Sequence, residues 1–256
     1  MARQRKGPRC NANEKPAPDP TKKYFVVVKS PRSGSTFLHK AMAMEPSFLS
    51  WFEPERGCVT NYLNSCKYNA CGVSLNDYLK SSGSFKEVNN YLEAYNATLI
   101  IQLRLDVLGK ALSITKMPWG PKIRSNADME KFLLFEVSRA VDTIVGHLYV
   151  ARQYPQFRPL VIWHEDLTEH CEATLERMCA HVRVACSPAG ENGTNVCASF
   201  GAAKRKTPDI LARLEVNRDK LPLPFDMISE NRHRDVEKLL WQRADEKNEL
   251  MYNLWR

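Results

Sequence analysis

The sequence has no apolar run long enough to span a membrane. Its longest uninterrupted apolar segments, such as residues 25–28 and 99–101, hold only a few residues, whereas a membrane helix needs about 20. The basic start is not followed by the apolar core of a secretory leader, so we expect Met1 not to open one. These two absences predict a cytoplasmic protein. The Golgi lumen is the alternative if an anchor has been removed from the chain.

The sequence also lacks the compositional extremes of fibrous and disordered proteins. Of its 256 residues, 43% are hydrophobic and 26% are charged, which is ordinary for a globular protein. A chain of this length buries a core without help from metals or disulfides. Collagen, coiled coil and disorder throughout are therefore excluded, and one full α/β domain or two small ones are expected.

Positive charge is concentrated at the start of the chain. The net charge is +8, and residues 1–23 contribute +5 of it through seven basic and two acidic side chains. The same segment holds four prolines and few apolar residues. We expect a disordered, basic and Pro-rich tail over 1–23, followed by one domain over 24–256. The tail is either an arm for nucleic acid or a membrane surface, or a solvated leader, which is the commoner use.

The cysteines form no Cys-x-x-Cys pair, and no histidine is spaced to complete a zinc site. Cys171 and Cys179 lie on one predicted helix, about 12 Å apart, so they cannot bond each other, and we interpret both as core residues. Two glycosylation sequons occur at 96–98 and 192–194. The cysteines that could pair in an oxidising compartment are Cys58, Cys66, Cys71, Cys186 and Cys197.

Strand-like and helix-like segments alternate along the chain. The apolar runs predict strands at 24–28, 98–103 and 160–163, and helical spacing predicts helices at 37–44, 107–114, from 126 to just before Pro155, 167–182 and from about 229. Such alternation predicts an α/β fold with a central parallel sheet flanked by helices and right-handed crossovers. Ligands of these sheets bind beyond the carboxyl ends of the strands.

The loop after the first strand has the features of an anion site. Residues 30–36 join that strand to a helix, whose free N–H groups and positive dipole end face an anion. Arg32 adds a charged fork, and Gly34 lets the backbone approach closely. Three hydroxyl donors, which the sequence places around that glycine, complete the loop: Ser33, Ser35 and Thr36.

The loop differs from the nucleotide-binding P-loop consensus. No glycine precedes Ser30, and no lysine follows Gly34, whereas the consensus needs both. The sequence therefore argues against a cradle for β- and γ-phosphates with magnesium.

Residues 25–38 resemble the 5′-phosphosulfate loop of sulfotransferases, which use 3′-phosphoadenosine 5′-phosphosulfate (PAPS) as sulfuryl donor. Residues 99–113 resemble the 3′-phosphate segment of that family, in which a strand ends at an arginine and the next helix presents a serine. Arg104 and Ser113 match those two positions. The resemblance implies a single P-loop-type α/β domain that binds PAPS without a metal. Lys29, just before the loop, is expected to assist.

Three further segments match more loosely. Glu53 precedes Pro54, as in sulfotransferases that act on trehalose and related sulfolipid precursors, where the glutamate is the base. Residues 163–167 resemble a Tyr-Glu-Asp-Leu segment, with His164 in place of the tyrosine, and we take His164 as the second candidate base. Lys204 and Arg205 resemble a late basic segment near the donor nucleotide. Arg32 is expected to stabilise the leaving oxygen.

The acceptor is the least defined partner. The resemblance implies a hydroxyl or amine of a carbohydrate, glycolipid or small metabolite, and no nucleic acid. The region 58–71 has no counterpart in the family and is expected on the acceptor side. Five aromatic residues either line an acceptor pocket or belong to the core: Trp51, Phe52, Tyr62, Tyr68 and Trp119. Two rival functions are a kinase that uses ATP and magnesium, and a non-catalytic domain that binds anions or nucleic acid.

Overall fold

The structure is a computed structural model that describes residues 10–11, 13–44, 48–52, 54, 58–76, 82–118, 120–185, 197 and 208–254. Five parallel strands form one sheet in the order β2-β3-β1-β4-β5, with helices on both faces. The predicted fold class, an α/β domain with a central parallel sheet, is confirmed. No helix in the described part of the chain has the length and apolar character needed to cross a bilayer.

The strands are short and follow one another through helical connections. They are β1 (Lys23–Lys29), β2 (Phe48–Phe52), β3 (Ala70–Asn76), β4 (Thr98–Leu103) and β5 (Leu160–Trp163). The helices are α1 (Ser35–Met44), α2 (Val59–Asn64), α3 (Ser82–Ala94), α4 (Val107–Thr115), α5 (Asn126–Gln153), α6 (His164–Glu169), α7 (Cys171–Val182), α8 (Pro208–Val216), α9 (Phe225–Ser229) and α10 (His233–Leu254).

The order of the strands places a crevice beside β1. The chain runs from β1 outward to β2, returns through β3, and then crosses to the other side of β1 to form β4. Ligands of open α/β sheets bind at such a switch, beyond the carboxyl ends of the strands. Because Lys29 pairs with Gln102, the loop after β1 and the turn after β4 leave the sheet side by side.

Alternating side chains of the central strands pack into two layers. Phe25 and Val27 of β1 join the cluster under α1 and α7, while Val26 and Val28 join the larger cluster that includes residues of α3, α4, α5 and α10. All four are fully buried. This accounts for a strand that is apolar at every position from 24 to 28, as a parallel strand covered on both faces requires.

The sequence patterns did not predict β2 and β3, and the region of Cys58, Cys66 and Cys71 was expected to be a loop. The structure instead forms α2 and β3 there. Gly72 weakens the intrinsic strand tendency of β3, but it lies opposite Phe25. A Cβ at this position would overlap the Phe25 ring. The glycine therefore makes room for a core side chain, a requirement that only the folded sheet reveals.

The described part of the tail does not match the predicted disorder. Residues 10–11 and 13–22 contain no regular element before β1, yet they are held against α2. The Glu14 carboxylate accepts hydrogen bonds from Asn61 and Asn64, at 2.8 and 3.0 Å, and Cys10 is bonded to Cys58. Residues 1–9 lie outside the described residues, and for them disorder stays a prediction.

Four of the five cysteines that the sequence offered for pairing, all but Cys186, which lies outside the described residues, are disulfide-bonded, two of them to cysteines outside that set. Cys66 bonds Cys71, and Cys171 bonds Cys197. Cys171 is therefore not a free core thiol, although it is buried. Cys179 is also disulfide-bonded. The described part of the chain contains no free cysteine.

Candidate functional site beyond β1 and β4

The loop between β1 and α1 has a left-handed backbone at two positions. Arg32 has φ 62° and Gly34 has φ 81°, a region that glycine adopts easily and other residues rarely. A Cβ on Gly34 would overlap the imidazole of His164. Gly34 thus meets two requirements at once, the backbone turn and the close approach of α6.

The neighbouring strand β4 supports this loop. Gln102 Nε2 donates to the carbonyl oxygen of Ser33 at 3.1 Å, and both residues are fully buried. The Ser33 hydroxyl has no hydrogen-bond partner in the described part of the chain. Buried hydroxyls are normally satisfied, so an acceptor from a ligand suits this position.

Two buried lysines lie by the loop. Lys29 is fully buried at the end of β1, and Lys110 of α4 is 5% exposed. The Lys110 ammonium donates to the Ser30 hydroxyl at 2.9 Å. Burial, with added repulsion from Lys29, lowers the pKa of His39. Sequence reasoning named Lys29 but missed Lys110, whose position one turn into α4 was the available signal.

The two predicted phosphate segments meet directly. Arg32 Nε donates to Ser113 Oγ at 2.6 Å, although the residues are 81 positions apart. Arg32 is exposed. The structure therefore brings the loop after β1 and the helix after β4 to one place.

Arg104 lies in the turn between β4 and α4. Its Nη2 donates to Asp106 Oδ2 at 3.0 Å, and both side chains are largely buried. Its Nε has no hydrogen-bond partner among the described residues. Asp106 caps α4, since its Oδ1 accepts from the Gly109 N–H at 2.9 Å. A Cβ on Gly109 would overlap the carboxylate of Asp106, so the tight turn depends on this glycine.

His164 begins α6 and lies against Gly34. Burial lowers its pKa to about 4, with a further lowering from Arg104 and an opposing effect of Asp106. Its Nδ1 is buried without a partner in the described part of the chain. The imidazole is therefore neutral at neutral pH, and its Nδ1 is available for a hydrogen bond with a ligand.

Several predicted site residues cannot be placed. Glu53, Lys204, Arg205 and Trp119 lie outside the described residues, as do the side chains of Trp51 and Phe52. Tyr62 and Tyr68, which were candidates for an acceptor pocket, pack against the larger core cluster. In the part of the chain that the structure describes, no cluster of three or more His, Cys, Asp or Glu side chains is suited to a metal ion.

Neither a scan against protein-family models nor a search of curated proteins gives a match. Solved structures do match. A mouse sulfotransferase complexed with PAP aligns over 86% of this chain and 89% of its own, with 12% identity and a TM-score of 0.52. The sulfotransferase domain of the Synechococcus PCC 7002 olefin synthase aligns over 87% and 98%, with 15% identity and a TM-score of 0.48. The chain therefore has the fold of the mouse sulfotransferase.

Proposed function

We propose that the chain is a sulfotransferase that moves a sulfuryl group from PAPS to an acceptor hydroxyl or amine. The contact between Arg32 and Ser113 carries this proposal. A donor with one phosphate at the 3′ position and another at the 5′ position needs two cationic subsites in a single crevice. The contact joins the two segments that resemble the 5′-phosphosulfate loop and the 3′-phosphate segment of sulfotransferases. The shared fold with a PAP-bound mouse sulfotransferase agrees with it.

The residues of the loop suit the 5′ end of the donor. The amides of residues 33–36 open α1, and free N–H groups at a helix start favour an anion. Arg32 and the buried ammonium groups of Lys29 and Lys110 add positive charge by the loop. When bound, PAPS supplies the sulfuryl group and a phosphate leaving group. These residues would hold that phosphate and stabilise its growing negative charge.

The turn after β4 suits the 3′ end. Arg104 Nε in this turn, and the Ser33 hydroxyl in the loop that suits the 5′ end, are buried polar groups without partners among the described residues. A donor that hydrogen-bonds them would remove the cost of leaving them unsatisfied. Ser113 lies at the same crevice and adds a hydroxyl. Lys204 and Arg205 remain proposed contributors on the strength of the resemblance alone.

A base must accept the proton of the acceptor group. Glu53 is the first candidate, from the resemblance, and it follows Phe52, the last residue of β2. His164 is the second candidate, because it is neutral at neutral pH and its Nδ1 lies unpartnered beside the loop in the described part of the chain. A carbohydrate, a glycolipid and a small metabolite are the acceptor classes that the resemblance implies.

Thermal-shift titration of the full chain with PAP, PAPS and ATP with magnesium tests the proposal. A ligand that binds only the folded state raises the melting temperature by mass action. We expect PAP and PAPS to stabilise the wild type and Arg32→Ala to remove this shift in melting temperature. The control is Arg218→Ala, which replaces an exposed arginine in the segment after α8 and is expected to retain the shift. Stabilisation by ATP with magnesium alone would indicate the kinase. A strongly salt-dependent affinity for polyanions that survives Arg32→Ala would indicate the non-catalytic binder.

Screening acceptor classes with labelled PAPS then identifies the substrate. Transfer to a carbohydrate, lipid-linked sugar or small metabolite supports the proposal. If the chain binds PAPS but transfers its sulfuryl group neither to water nor to any of these acceptor classes, the proposed enzymatic function would be contradicted.

A further inference from the structure

Glu165 links α6 to the turn that carries Arg104. It is the second residue of α6 and is 7% exposed. Its Oε2 accepts from the Leu105 N–H and its Oε1 from the Asp106 N–H, both at 2.9 Å. A buried carboxylate is costly unless it is hydrogen-bonded. Here both oxygens are satisfied by backbone of a segment 60 residues earlier in the chain.

The two amides that Glu165 holds belong to the turn that directs Arg104. Asp106, fixed at its N–H, uses its own carboxylate to accept from Arg104 Nη2 and from the Gly109 N–H. Leu105 is 5% exposed and packs into the larger core cluster. The carboxylate of Glu165 therefore fixes the backbone, the backbone fixes Asp106, and Asp106 orients the guanidinium.

We propose that Glu165 is a positioning residue of the donor site, which holds the 104–106 turn so that Arg104 faces the 3′-phosphate. This inference rests on the proposed function. Glu165 touches no reacting atom and acts only through Arg104, so its effect on the donor must vanish when Arg104 is absent.

A double-mutant cycle on PAP affinity, measured by calorimetry, tests this coupling. Glu165→Gln keeps the size of the side chain, but its amide nitrogen cannot accept the second N–H. We expect roughly a tenfold or greater loss of PAP affinity in Glu165→Gln, from the loss of a charge-assisted hydrogen bond. In the background of Arg104→Ala, the same substitution is expected to cost nothing further. The matched control is Glu169→Gln, on the exposed end of α6, which is expected to bind PAP as the wild type does.

The outcomes separate this inference from the proposed function. Wild-type affinity in Glu165→Gln, or losses that add in the double variant, would overturn the positioning role while the donor site stands. A wild type that does not bind PAP would overturn both. Should Glu165→Gln fail to fold, Glu165→Asp replaces it in the double-mutant cycle, since aspartate keeps the charge on a shorter side chain. Losses of PAP affinity that add in Glu165→Asp with Arg104→Ala would again overturn the positioning role.

A second inference concerns Asn96, which lies in the turn between α3 and β4. Its side chain is exposed, its φ is 46°, and it makes no side-chain hydrogen bond to any described residue. It opens the sequon 96–98, whose Thr98 is the first residue of β4 and is 4% exposed. This turn is at the amino edge of the sheet, a strand length of roughly 20 Å from the Arg104 edge.

The disulfides indicate where such a sequon would be used. Three pairs join described cysteines: Cys10–Cys58, Cys66–Cys71 and Cys171–Cys197. Disulfides persist in oxidising compartments, the same secretory route in which sequons are glycosylated. We infer that the chain matures in such a compartment and that Asn96 accepts an N-linked glycan. Because Thr98 is buried against β1, with its hydroxyl 3.5 Å from the Tyr24 carbonyl oxygen, the glycan is added before β4 docks.

The test is expression of the full chain behind a cleavable secretory leader in eukaryotic cells. Enzymatic release of N-glycans in heavy-oxygen water converts a glycosylated asparagine into labelled aspartate, which peptide mapping detects. We expect the label at Asn96 in the wild type and in Asn192→Gln. Asn96→Asp is expected to migrate faster on a gel because it cannot carry the glycan. Aspartate is chosen for this variant because it tolerates the left-handed backbone. PAP affinity of Asn96→Asp is expected to be unchanged. An unlabelled Asn96 in the expressed chain would overturn the inference.

Discussion

Arg32 and Ser113 are 81 positions apart in the chain and 2.6 Å apart in space, with Arg32 Nε donating to the serine hydroxyl. This contact joins the loop after β1 to the helix after β4. It arises because β1 and β4 are neighbouring parallel strands, so that their carboxyl ends open into the same crevice. The location of the proposed donor site follows from this topology rather than from either segment alone.

The glycine of the loop gives a direct test of its geometry. Gly34→Ala places a Cβ into the His164 ring and in a left-handed backbone, so we expect a loss of about 1–3 kcal/mol of stability together with weaker PAP binding. Gly146→Ala is the matched control, because a Cβ there meets no atom within 4 Å. In the helix α5, that alanine is expected to add up to ~1 kcal/mol. Equal melting temperatures for the two variants would contradict the packing of Gly34 against α6.

The depressed pKa of His164 predicts a pH dependence of stability. Its pKa is about 4 in the folded chain, against 6.5 for an ordinary histidine. Between these values the unfolded chain binds a proton that the folded chain does not, so stability falls as pH decreases from 6.5 toward 4. His39 and His181 are shifted in the same direction and contribute similarly.

The test compares melting temperatures of the wild type and His164→Asn from pH 4 to pH 7. The variant is expected to lose less stability than the wild type on acidification, because one of the contributing groups is gone. Parallel curves would show that His164 titrates normally.

The two candidate bases are separated by their effect on the chemical step. Glu53→Gln is expected to leave PAP affinity unchanged and to lower the single-turnover rate by ~10²-fold or more, since an amide cannot accept the proton. His164→Asn is then expected to alter the rate much less. If Glu53→Gln reacts at the wild-type rate and His164→Asn is slow, the roles are reversed.

The disulfide that closes the longer loop is expected to contribute more to stability, because the chain entropy that it removes rises with the logarithm of the loop length. The Cys10–Cys58 bond spans 48 positions and the Cys66–Cys71 bond spans 5. Chain entropy predicts about 4 kcal/mol for the first and about 2 kcal/mol for the second. Denaturant unfolding of the paired serine variants, Cys10→Ser with Cys58→Ser and Cys66→Ser with Cys71→Ser, measures both. A larger loss of unfolding free energy when the Cys66–Cys71 bond is removed would indicate that strain or packing, rather than chain entropy, determines the contribution of each disulfide.

How much the sequence predicts depends on whether a signal is local. The strand at 24–28 and the loop at 30–36 were predicted, because β-branched runs and a Gly-containing turn have their effects within a few residues. β3 was missed, because Gly72 is explained only by the Phe25 ring across the sheet. Lys110 and Glu165 were missed as supporting residues for the same reason: their partners, Ser30 and the 105–106 amides, are distant in the chain.

The described tail shows the same limit. Its prolines and charges are typical of disorder, yet Glu14 and Cys10 find partners on and beside α2. Disulfide partners are equally beyond local reasoning. Cys171 pairs with a cysteine 26 positions away, and no spacing rule identifies it.

The central claim is that one crevice holds both phosphates of a single donor. Calorimetric affinities of PAP and 5′-AMP for the wild type, Arg32→Ala and Arg104→Ala test it most directly. We expect the wild type to prefer PAP, Arg32→Ala to weaken both ligands, and Arg104→Ala to weaken PAP until it binds no better than 5′-AMP. A wild type that binds the two nucleotides equally, or an Arg104→Ala variant that still prefers PAP, would contradict the account.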